Sequence, residues 1–131
     1  MNTGALAHLP AGARAAYAQT FTPTQVQQYL NIRLMQANAL NGLIQQLAAS
    51  PAAQLPNSSV QATIALYQTA LANVQYQINQ LQLLAAALNQ AFAVDAQLQQ
   101  AQNAAVQIAL TNALATIQYQ ISTLQSTIVV P

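Results

Sequence analysis

The side chains able to do acid–base, nucleophilic or metal chemistry in this chain are few. His8, Arg14, Arg33 and Asp95 are its ionisable side chains besides five tyrosines, and Lys, Glu and Cys do not occur. Proton transfer in catalysis needs a positioned His, carboxylate, Lys, Tyr or Cys. His8 has no second His, no Cys and no Glu with which to share a metal ion. Ser, His and Asp all occur, but no nucleophile elbow surrounds them. No Gly-rich phosphate loop is present. The reading is therefore no catalytic residue, no cofactor, no metal and no small-molecule substrate: a chain that is not an enzyme. His8 is expected on the surface and Asp95 at a helix N-cap.

Arg14 and Arg33 are the permanent side-chain cations. Nucleic-acid binding draws on many phosphate contacts and a basic patch, which two arginines per chain supply only when repeated through a polymer. Arg33 also falls on an apolar helical seam, where one polar residue can set register or oligomeric state; the register role is the favoured reading. For Arg14 the candidates are a phosphate or a subunit contact. Tyr76 and Tyr119 are expected to make aromatic contacts between helices. Asn57-Ser58-Ser59 fits a glycosylation sequon.

These residues sit in an unusual background. The 131 residues, one domain's worth, include 29 Ala, 23 Gln and 18 Leu. The chain is 54% hydrophobic and 2% charged, against about 25% charged in ordinary soluble proteins. That composition is the opposite of a disordered chain's. A membrane span needs about 20 apolar residues in a row, and the richest stretch, Leu81 to Val94, is broken by Gln82, Asn89 and Gln90. No signal peptide is expected, because no basic region precedes an apolar block. Without Cys there is no disulfide framework. In strong acid the charge would rise only to about +4, since so little titrates. Gln and Asn replace charge as wetting groups, a composition suited to acid.

Periodicity supplies the elements. Residues 1–21 read as a flexible arm, with a short helix expected over 11–19, and 22–131 as the bundle domain. Thr22-Pro23-Thr24-Gln25 opens the first long helix: Thr22 caps, Pro23 suits the first turn and Gln25 completes a capping box. Val26, Leu30, Arg33, Ala37, Leu40, Ile44 and Leu47 then alternate at spacings of 4 and 3. That helix should end near Ala49, before Ser50-Pro51. Ser58 and Gln61 form a second box. Val60, Ile64, Tyr67, Leu71, Val74, Ile78, Leu81, Ala85, Leu88 and Phe92 continue the 4,3 alternation, specifying a buried face with left-handed supercoil tendency. A break is expected near Phe92–Asp95, with Asp95 capping a third helix. Its seam is Leu110, Leu114, Ile117, Ile121, Leu124 and Ile128; upstream the same phase falls on Asn103 and Gln107, so the seam shifts or the helix bends there.

The two later helices share a sequence. ALANVQYQINQLQ (70–82) and ALATIQYQISTLQ (113–125) are identical at nine of 13 positions, which suggests duplication and equivalent packing roles. The apolar tail Thr127–Pro131 is expected to dock, on its own bundle or on a neighbouring subunit.

Taken together, the near-absence of charge, the Ala/Gln-rich helical chain of this length, the QYQI repeat and the apolar tail resemble the major coat proteins of tailed spindle-shaped viruses of acidophilic, hyperthermophilic archaea, the bicaudavirus type. The resemblance spans the chain but rests on character and length, and carries no functional residue across. It implies a helical bundle that self-assembles into a helical capsid lattice around double-stranded DNA, located in the virion. The composition departs from the Lys and Glu enrichment of hyperthermophilic proteins; a virion facing acid, where carboxylates are protonated, gives the departure a reason. The expected fold is an all-α antiparallel bundle, three long helices plus a short N-terminal one, four-helix-bundle-like. The expected partners are further copies of the chain and, through weak contacts, DNA. The other readings are a membrane-active helical viral protein and a generic coiled-coil adaptor.

Overall fold

The structure, a computed structural model, describes residues 21–56 and 58–131. They form three α-helices: α1 (Pro23–Ala48), α2 (Ser59–Gln100) and α3 (Ala104–Ser126). A 3₁₀ turn, Pro51–Gln54, links the first two. No strand occurs among the described residues. The short helix expected over 11–19, and with it the fourth helix of the expected bundle, lies outside the described residues.

The start of α1 is closed as its sequence dictates. Gln25 N–H donates to Thr22 Oγ1 at 3.1 Å, and Thr22 N–H donates back to Gln25 Oε1 at 2.9 Å. Two backbone donors that the helix leaves orphaned are thereby satisfied. Ser58 likewise accepts from Gln61 N–H at 3.2 Å. The reciprocal half of that second box is absent: the Gln61 carboxamide donates to the Ala53 carbonyl at 2.8 Å instead, tying α2 to the 3₁₀ turn.

The expected break at Phe92–Asp95 is not there. Helix α2 runs 42 residues without interruption, about 63 Å at 1.5 Å per residue, and Asp95 lies inside it, fully buried. Asp95 is therefore not an N-cap. The physical reason is its spacing: Leu81, Leu84, Leu88, Ala91, Asp95 and Leu98 continue one inward stripe, so the packed face carries the helix through an indifferent helix former. The chain breaks at Ala101–Asn103, where the α3 seam loses its phase. Asn103 caps α3 through its side-chain oxygen, which accepts from Ala105 N–H at 2.8 Å and Val106 N–H at 3.4 Å.

Packing runs between α1 and α2 and between α2 and α3. The predicted seams all face inward: every seam residue of the three helices is buried or half-buried, Arg33 included. The closed core gathers Leu81, Leu84, Ala87, Leu88 and Ala91 of α2 with Val26 of α1, Leu114 and Ile121 of α3, and Ile128 of the tail. Full burial of each such aliphatic side chain stabilises by about 1.5–3 kcal/mol. The core is one-sided along α2. Its fully buried residues run from Leu81 to Asp95, whereas from Ser59 to Gln80 none is fully buried.

Candidate functional site

Arg33 does its work inside the chain. Its guanidinium donates from Nη1 to Gln36 Oε1 at 2.8 Å and from Nη2 to the Val129 carbonyl at 2.8 Å, while the buried Nε has no hydrogen-bond partner. A seam cation thus holds the C-terminal tail against α1. Arg14 and His8, and the sequon's Asn57, lie outside the described residues.

Two α2 side chains complete the hold. Gln77 Nε2 donates to the Thr127 carbonyl at 2.9 Å, and Gln77 Oε1 accepts from Val129 N–H at 2.8 Å. Gln80 Nε2 donates to Thr127 Oγ1 at 2.8 Å. Ile128, between them, enters the core. The tail therefore docks on its own chain through the Val129 backbone, while Val129 and Val130 stand more than half exposed. At the same end Phe21 N–H donates to Gln125 Oε1 at 3.3 Å, and the Phe21 ring meets Tyr29 edge-on, centroids 5.4 Å apart.

Asp95 accepts from Gln99 Nε2 at 3.2 Å, one turn along its own helix. Among the described residues no three His, Cys, Asp or Glu side chains gather as a metal-binding group. No helix of those residues is long and apolar enough to cross a membrane.

Tyr76 and Tyr119 are not among the side chains packed into the core. They are 51% and 75% exposed, because each falls between the seam positions of its helix. Each instead borders a groove. Tyr76 stands with Arg33, Asn73, Val74, Gln77 and Val129 around a hollow of about 350 Å³. Tyr119 borders an open groove of about 460 Å³ between α2 and α3, lined by Leu83, Ala86, Ala87, Gln90, Gln120, Thr123 and Leu124.

Comparison with protein-family models, with curated proteins and with solved structures finds no match.

Exposed apolar side chains are the remaining surface feature. Ile32, Leu34, Met35 and Leu43 project from α1, Leu66 and Leu83 from α2, Val106 and Ile108 from α3. With Arg33 half-buried and Asp95 buried, no exposed side chain among the described residues carries a charge. The arrangement is equipped for apolar and amide-mediated packing. Sequence reasoning missed Gln77, whose role follows only from where the tail lies.

Proposed function

We propose that this chain is a structural, self-assembling coat subunit, packing into a helical lattice that encloses double-stranded DNA in a virion exposed to acid. The observation that carries the proposal is the exposed surface itself: large apolar side chains on all three helices with no exposed charge among them. Net charge keeps proteins soluble and apart, and extended apolar patches mark association sites. The helices are proposed to run antiparallel, which fits Gln77 and Gln80 of α2 bonding Thr127 just beyond α3. The half-covered stretch 59–80 of α2 is then the part of a bundle that neighbouring copies complete.

Contacts with the genome are weak in this reading. Arg33 is committed to Val129, which leaves Arg14 as the cation to meet phosphate. At about 0.9 of a decade of affinity per decade of salt for each neutralised phosphate, DNA binding by the isolated chain should show a salt slope near one. Negative-stain electron microscopy and sedimentation across a concentration series at pH 2 and pH 7 test the proposal. Tubes or lattices are expected at both. A monomer at every concentration overturns it, and a fixed complex with one other protein and no self-assembly turns the reading to an adaptor.

A further inference from the structure

The two grooves carry the same pair of side chains. Tyr76-Gln77 and Tyr119-Gln120 occupy matching places in the repeated segments 70–82 and 113–125. The copies turn the same face inward: Leu114, Ile117, Ile121 and Leu124 are buried or half-buried, as are Leu71, Val74, Ile78 and Leu81. Each Tyr-Gln pair therefore stands at the same angle to its packed face.

The tail runs past one of the two hollows, with Val129 forming part of its wall, and the way Gln77 holds it shows what such a Tyr-Gln pair takes. At Gln77 a single carboxamide donates to the Thr127 carbonyl and accepts from Val129 N–H, reading the extended tail by its backbone on either side of Ile128. This recognition needs no charge, and it suits an apolar segment whose side chains alternate between groove and solvent. The groove beside Gln120 has the same carboxamide and the same tyrosine, with apolar walls from Leu83, Ala86 and Leu124, and no residue of the tail lines it. Meanwhile the tail, fixed through Thr127–Val129, presents Val129 and Val130 outward at 62% and 56% exposure.

We propose that the α2–α3 groove beside Gln120 receives the Val129–Val130 stretch of a second copy of this chain. The inference rests on the self-assembly reading above. The root of each tail stays on its own Arg33 and Gln77, which take the Val129 carbonyl and N–H and leave the Val130 backbone for Gln120; they hold the tip in a preset direction and so lower the ordering cost of insertion. The second seat lacks a counterpart of Arg33, presenting Gln90 on the facing wall, and has Thr123 where the first has Gln80. It is the weaker seat, occupied at the high local concentration of an assembly.

The test is titration of an acetylated STIVVP peptide, the sequence of residues 126–131, into the isotope-labelled full chain at a concentration below assembly. Saturable amide shifts are expected along 83–90 and 119–124. Gln120→Ala should weaken binding by about tenfold or more, two hydrogen bonds being lost, and a peptide with Val130→Asp should not bind. No binding, shifts confined to the surroundings of Arg33 and Gln77, or an affinity indifferent to Gln120→Ala overturns the seat. Sedimentation of the same proteins separates the two proposals. Assembly of Gln120→Ala like that of the parent chain, with no peptide binding by the parent, removes the seat and leaves self-assembly standing. Peptide binding to a parent chain that never assembles leaves the seat and removes the assembly reading.

Discussion

Single residues decide how the ends of this molecule are tied. Arg33 sits on a heptad seam, and the spacing alone marked it as the one cation in a packed face. Its partner, the Val129 carbonyl, lies 96 positions away and is invisible to any local pattern. Arg33→Ala removes two hydrogen bonds, one to a backbone carbonyl, and should lower stability by about 1.5–3 kcal/mol in urea denaturation. Arg33→Lys should recover only part of that, because an ammonium cannot reach Gln36 and Val129 together as the planar fork does. Asn103→Ala should cost about 1 kcal/mol through loss of the α3 cap, whereas Asp95, inside α2, has no cap to lose. A circular-dichroism melt of the two variants compares them directly. An Asp95→Asn protein in which α3 frays while α2 is intact would contradict this assignment.

At the scale of elements, the helices follow from pattern and their limits from competition between pattern and caps. The 4,3 seams place all three helices, and the Thr22 and Ser58 caps start two of them as the sequence reads. The third start was misplaced because Asp is a strong capping residue, and a local reading weighs it without knowing that its face is buried. The loss of seam phase at Asn103 and Gln107 was the better signal, since the break falls just there. Gly42 tests the element view from another side. It lies inside α1, and a Cβ added there meets nothing within 4 Å. Gly42→Ala should therefore stabilise by about 0.5–1 kcal/mol, by helix propensity and a less disordered unfolded state, read as a higher urea midpoint at unchanged slope. Leu88→Ala, in the closed part of α2 where exposure is 0%, should cost about 2–5 kcal/mol. Leu66→Ala, 71% exposed on the open part, should cost little in the dilute chain and show its effect in assembly.

For the whole molecule, the scarcity of charge makes a prediction about acid. Asp95 is the one side-chain carboxylate in the chain. Asp95→Asn should abolish the side-chain part of any change in Tm between pH 5 and pH 2. A large shift that persists in Asp95→Asn would mean that acid acts on this protein by a route other than its side-chain charges. The same scarcity bears on association: copies meet without charge repulsion, so assembly should vary little with salt, in contrast to a lattice held by ion pairs.

The sequence by itself determined that the chain is helical, where its seams run, how two helices begin and that charge plays almost no part. Those are local or periodic properties, set by side-chain volume, capping chemistry and a 3.5-residue repeat. Tertiary structure alone decided that α2 is continuous, that Asp95 is buried, that the repeated tyrosines face grooves and that the tail is gripped by Arg33 and Gln77. Each of these joins residues far apart in the chain, and hydrogen bonds between uncharged amides leave no spacing in the sequence from which to read them.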